Sequence, residues 1–147
     1  MHMNKEVLSY NNIRVGISAK DWDAAIRASA NVLLEEGSIT QDYIEEIIKT
    51  VHDLGPYMAI MPGFILAHAA PSASVLKNSA ALITLSSSIN IGSENDPISV
   101  ILCISCTDHD SHVDKLKVIA EILMRDGMIE TLASARNAQQ IYQQFNA

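Results

Sequence analysis

Long apolar runs are missing from this chain of 147 residues, and a membrane-spanning helix needs about 18 or more. The longest candidate, 57–67, is broken by Pro62-Gly63. The N-terminus, Met1-His2-Met3-Asn4-Lys5-Glu6, lacks the apolar core of a signal peptide. Met1-His2 reads as an addition left by cloning, so His2 is excluded from any site. These features lead us to expect a cytoplasmic protein. Positive charge is also scarce: 10 Lys and Arg against 17 Asp and Glu give a net charge of −7. The basic residues are scattered, so the basic stripe of a general nucleic-acid binder is absent. Gly-x-x-x-x-Gly-Lys loops, Gly-x-Ser-x-Gly elbows and His-Glu-x-x-His helices are all lacking. Nucleotide-loop, serine-hydrolase and zincin chemistry have no motif to stand on. No internal repeat, low-complexity tract or linker interrupts the chain.

What remains is a hydrophobic content of 48% with 18% charged residues, the balance of a globular protein. Residues 1–147 fit one domain, able to bury roughly two-thirds of its unfolded surface without disulfide or metal. The two cysteines, Cys103 and Cys106, form a Cys-x-x-Cys, a spacing used by redox pairs and half zinc sites. However, 100–104 reads as a buried strand. Period-two geometry then sends 103 and 106 to opposite faces, and no second Cys pair completes a zinc site. Core packing is the preferred reading, with redox chemistry the alternative.

Apolar alternation predicts a first strand over 13–17. Ser18 is placed to cap a helix with Asp21 in the capping-box position, and Gly37 to end it. Thr40 or Ser38 starts a second helix whose apolar face carries Tyr43, Ile44, Ile47, Ile48 and Val51. The runs 57–61 and 64–67 read as buried strands around a Pro62-Gly63 turn. Further strands are expected over 80–88 and 98–105, separated by the Asn95-Asp96-Pro97 turn, which reads as folding information. Ser111 can cap a long helix stopped by Gly127, and a last helix spans about 134–145. Two strand pairs lack an intervening helix, which argues for a mixed sheet with helices on both faces.

The segment from Gly55-Pro56-Tyr57 through Pro62-Gly63 to Pro71 delivers one ionisable side chain, His68, among Ala67, Ala69 and Ala70. Small neighbours leave room for another molecule to approach the imidazole. The plainer reading is a strand-end histidine that donates to a backbone carbonyl. A second group lies at Asp108-His109-Asp110-Ser111-His112. If Ser111 caps the helix, His112 sits in its first turn, among free N–H groups and the positive end of the dipole. There it could donate to phosphate oxygens. The rival is a metal pair, His109 and His112, with Asp108 or Asp110 as a third ligand. Those residues straddle the cap, so a solvated helix start explains His109 better.

The Gly55-Pro56-Tyr57, Pro62-Gly63, His68 and Pro71 pattern resembles the phosphorylation site of a phosphotransferase-system (PTS) IIA component. It is similar to the mannitol/fructose class and most to its ascorbate-type members, over about residues 13–145. Asp108 and His112 match a family pair in which a helix-starting histidine follows an aspartate by four residues. The resemblance implies a three-layer α/β/α domain with a mixed central sheet. It implies that His68 accepts phosphoryl from phospho-HPr on Nε2, with Nδ1 held by a hydrogen bond, and passes it to a cysteine of a IIB partner. His112 would lie beside His68 and support the phosphate. No cofactor or metal is implied. The membrane IIC component chooses the sugar, with ascorbate the implied guess. A patch of Tyr57, Phe64 and Ile65 is available for HPr and IIB, unless those residues are core.

The chain departs from the family at Ala67, usually proline, and at Ala70, arginine in many relatives. The second departure removes a charge partner for phosphate or HPr. His52 falls where mannitol-type relatives carry a phosphate-contacting arginine, though a histidine near a helix C-terminus is explained by the dipole alone. Two other functions stay in view. A regulatory IIA-like protein would use the same His68 as a switch, holding its phosphate for long rather than losing it to a IIB cysteine. A small metal hydrolase built on His68, His109 and His112 would contain zinc.

Overall fold

Side chains alternate faces along each strand, and the apolar ones split cleanly. Phe64, Leu66, Leu82, Val100, Leu102 and Ile104 pack on one side of a central sheet; Ile65, Ala67, Ala81, Ile83, Ile101 and Cys103 pack on the other. Both faces must therefore be covered. The computed structural model describes residues 6–146, so His2 lies outside the described residues. Strands β1 (Ile13–Ile17), β2 (Phe64–Ala67), β3 (Ser79–Ile89) and β4 (Ile98–Ser105) form a sheet of order β1-β3-β4-β2. The β1–β3 and β2–β4 pairs are parallel and β3–β4 is antiparallel. Helices α1 (Trp22–Glu36) and α2 (Gln41–Leu54) supply the apolar cover of one face. The other face is covered by α3 (His109–Leu123), α4 (Met128–Ala133) and α5 (Ala138–Asn146). This is the expected three-layer arrangement with a mixed sheet.

Several local expectations are corrected. Residues 57–61 form no strand. Pro56 starts a turn, closed by Ala59 N–H donating to Pro56 O at 3.0 Å, and burial does not alternate: Met58 and Ala59 are buried while Tyr57 and Ile60 are exposed. The segment instead folds back along β2, where Leu66 N–H donates to Met58 O at 2.9 Å. The Asn95-Asp96-Pro97 turn clamps it: Asn95 Nδ2 donates to Ala59 O at 2.7 Å, and Gly63 N–H to Asn95 O at 2.9 Å. Asp96 in turn accepts from the N–H groups of Ile91, Gly92 and Ser93. Gly63 sits at φ +80°, where a side chain would be strained, and a Cβ there would meet Ile129 at 3.3 Å.

The caps also differ from expectation. Asp21, not Ser18, caps α1, accepting from Ala24 N–H at 2.9 Å. Asp108, not Ser111, caps α3, accepting from Ser111 N–H at 2.8 Å. An aspartate with extended backbone angles places its carboxylate over the open amides of the first turn, and both residues have those angles. Helix α3 ends at Leu123, short of Gly127, whose left-handed φ of 69° leads into the unforeseen short helix α4.

Candidate functional site

Even-numbered residues of β2 face α3–α5, and the same alternation carries His68, one residue past the strand, toward the start of α3. There the His68 and His112 rings lie 5.6 Å apart between centroids, tilted by 42°. Both are half-buried. Tyr57 meets His68 edge-on at 6.0 Å. The His68 Nδ1 lies 2.9 Å from Leu66 O. A carbonyl only accepts, so Nδ1 carries a proton, and among the described residues Nε2 has no hydrogen-bond partner. The plain reading of a strand-end histidine bonded to backbone thus holds at one nitrogen.

His112 is the fourth residue of α3 rather than a residue at the cap, and its own N–H donates to Asp108 O at 3.2 Å. The Asp108 carboxylate accepts from both N–H and Oγ of Ser111, which holds it below the usual carboxylate range. At this helix start a protein carboxylate takes the Ser111 N–H, so part of the expected anion slot is already filled. Burial, then the neighbouring His68 and His109, lower the His112 pKa.

That shift has a sign. A histidine harder to protonate in the folded state gives stability that is complete above its unfolded pKa, about 6.5, and lost as pH falls through the lower folded value. Below about pH 6.5, wild type should lose stability on acidification more steeply than His112→Asn. Chemical unfolding at stepped pH reads this, and parallel profiles would refute it.

The remaining candidates separate from this pair. His109 is exposed on the first turn of α3, and among the described residues no group of three or more His, Cys, Asp or Glu is arranged to hold a metal ion. His52 is exposed near the end of α2, with its ring edge-on to Trp22 at 5.2 Å. Cys103 and Cys106 are both buried, and burial raises both thiols, Cys103 to about 12. Neither supplies a thiolate at neutral pH, which agrees with core packing. Phe64 and Ile65 are fully buried, one on each face of the sheet, so of the expected docking patch only Tyr57 is exposed. Ala67 is buried opposite Cys103, and Ala70 is exposed.

One residue that sequence reasoning left in the core reaches this region. The Tyr43 hydroxyl, from α2, accepts from Ala69 N–H at 3.1 Å and donates to Ile104 O at 2.9 Å. Its only sequence signal was a hydroxyl-bearing aromatic on an otherwise aliphatic helix face.

The family model described as "Phosphoenolpyruvate-dependent sugar phosphotransferase system, EIIA 2" matches residues 6–147. The chain belongs to this EIIA family. It is 31% identical over 131 residues to the mannitol-specific cryptic phosphotransferase enzyme IIA component of Escherichia coli K12, covering 89% of each chain. It is 24% identical over 143 residues to the ascorbate-specific PTS system EIIA component of Salmonella typhi, covering 96% of this chain and 93% of that one. The solution structure of the E. coli cryptic mannitol IIA superposes with a TM-score of 0.87 at 28% identity, over 97% of this chain and 99% of the other. The IIA mannitol protein of E. coli, solved in complex with phosphorylated IIB, shares the fold with a TM-score of 0.81 at 19% identity, over 94% and 96% of the two chains. The EIIA fold is thus the mannitol-type mixed sheet, and no helix among the described residues is long and apolar enough to cross a membrane.

Proposed function

We propose that this EIIA protein is a cytoplasmic phosphocarrier that takes a phosphoryl group from phospho-HPr on His68 Nε2 and gives it to a cysteine of a IIB partner. The observation that supports the reading is the His68 ring, its proton fixed on Nδ1 by Leu66 O at 2.9 Å, its Nε2 without a hydrogen-bond partner among the described residues, and the His112 ring 5.6 Å away. In the first transfer Nε2 attacks phosphorus, the bond from phosphorus to the HPr histidine nitrogen breaks, and that ring leaves with the electron pair. Positive charge grows on the His68 ring, and the Leu66 carbonyl stabilises it through Nδ1–H. In the second transfer the cysteine thiolate attacks, the Nε2–phosphorus bond breaks, and His68 returns to the neutral Nδ1–H form. Catalysis of this kind is positioning and charge stabilisation.

His112 donates to the phosphoryl oxygens. Its lowered pKa keeps it neutral beside unphosphorylated His68, and the arriving negative charge draws a proton onto it. Tyr57, edge-on to His68, and Val113, next to His112 in α3, are about half exposed and give HPr and IIB apolar contact. The ascorbate-specific relatives favour an ascorbate-type carbohydrate as the cargo of the pathway, with the choice made by the membrane IIC component.

The test is phosphotransfer from phosphoenolpyruvate through enzyme I and HPr, followed by a chase with IIB. Wild type should acquire acid-labile, base-stable label and lose it rapidly to the IIB cysteine. His112→Ala should still be labelled, but about 100-fold more slowly. No label on wild type beside an active HPr control would overturn the reading, and label that persists through the IIB chase would turn it into a regulatory switch.

A further inference from the structure

Strands β2 and β4 run parallel, with Ala67 opposite Cys103 as their last pair. Near the start of that ladder Val100 N–H donates to Gly63 O at 3.1 Å. A parallel ladder repeats in steps of two residues on each strand. Continued past Ala67, it would next have Ala69 N–H donate to Ile104 C=O. Those are the two groups between which the Tyr43 hydroxyl is inserted, accepting from Ala69 N at 3.1 Å and donating to Ile104 O at 2.9 Å, with Ala69 O also within 3.2 Å. The oxygen thus replaces a direct rung with a longer two-bond bridge and ends strand pairing within two residues of the candidate acceptor.

We propose that Tyr43 is a positioning residue for His68, its hydroxyl acting as an inserted rung that splits β2 from β4 and fixes the backbone on which the imidazole is aimed. This rests on His68 being the phosphoryl acceptor. Tyr43, Ala69 and Ile104 are all buried, so water does not readily stand in for the hydroxyl. The geometry matters because His68 has to satisfy two demands at once. Its Nδ1 must return to Leu66 O, two residues back along the chain, while its ring faces His112 across from α3. Were Ala69 to pair directly with Ile104, β2 would continue in extended conformation through residue 68. The side chain would then stand away from the strand, not curl back to the carbonyl of residue 66. Burial pushes the Tyr43 hydroxyl pKa up, so the bridge keeps its proton across the working pH range.

Tyr43→Phe removes one oxygen and leaves the ring in its pocket. Two readouts are taken on the folded variant: the His68 tautomer, by long-range proton–nitrogen NMR of the histidine rings, and the labelling rate with phosphoramidate. That small donor gives its phosphoryl group to imidazole with release of ammonia and needs no protein docking. The expected result is a mixed His68 tautomer in place of pure Nδ1–H and labelling slowed about tenfold, the scale of lost orienting contacts. A purely structural role would lower the melting temperature and move neither readout, and that outcome overturns the proposal. Wild type supplies a measurement that does not depend on the variant folding. The Ala69 amide should exchange with solvent as slowly as those of β2, and fast exchange would equally overturn it. If wild type takes no label from either phosphoramidate or HPr, the phosphocarrier reading falls, while the tautomer and exchange results still decide the role of Tyr43.

Discussion

His68→Ala should lower phosphoryl acceptance from HPr by at least about a thousandfold, the scale on which loss of a nucleophile is felt. The loss is large because the neighbours are poor substitutes. His112 lies beside His68, its ring 5.6 Å away between centroids, but it stands on α3, where its backbone N–H makes only the ordinary helical bond to Asp108 O. Among the described residues its ring has no carbonyl partner, as His68 has in Leu66 O, to fix a proton on one nitrogen. His109 is exposed on the first turn of α3, outside the pair. The fold should tolerate the change. His68 is half-buried and makes one backbone hydrogen bond, so stability should fall by only about 1 kcal/mol. Labelling and circular dichroism on the same sample separate the two effects. Label arriving on a folded His68→Ala protein at the wild-type rate would move the acceptor elsewhere, with His112 the first place to look.

The largest effect on stability should come from Phe64→Ala, about 3–5 kcal/mol for a large core side chain. Phe64 is fully buried at the start of β2, opposite Val100, in the cluster that joins the sheet to α3, α4 and α5. Strand β2 has four residues, so it has little ladder with which to absorb a void. Against a total stability of about 5–15 kcal/mol, such a loss leaves the protein near its threshold. Urea unfolding measures it; a loss under about 1 kcal/mol would mean the helices close over the gap.

The sequence made the layers legible because the period of its apolar residues changes where the elements change. Strands β1, β3 and β4 and the span of α2 follow that pattern to within a residue or so. Errors arose where two residues could do the same local job. Ser18 and Asp21, or Asp108 and Ser111, are all competent caps, and only the backbone angles decide between them. Residues 57–61 are apolar enough for a strand, but Pro56 and the Asn95 clamp bend them into a turn. Helix α4 has six residues, too few for a helical period to emerge. At the site, His68 and His112 were legible as residue types in context, and the structure brings their rings together. Tyr43 was not legible as part of that region. In sequence it is one more apolar-face residue of α2, and the groups its hydroxyl joins lie 26 and 61 positions away.

The short strand that carries the site is an outermost strand of the sheet, and such a margin ordinarily invites another chain to add itself by backbone pairing. Here its outward-facing groups are already occupied. Phe64 N–H is taken by Met61 O, Leu66 N–H by Met58 O, and Leu66 O by the His68 ring itself. The imidazole therefore also serves as a stopper on the sheet margin. A partner of the proposed phosphocarrier would therefore meet side chains at this margin and could leave again without being zipped into the sheet.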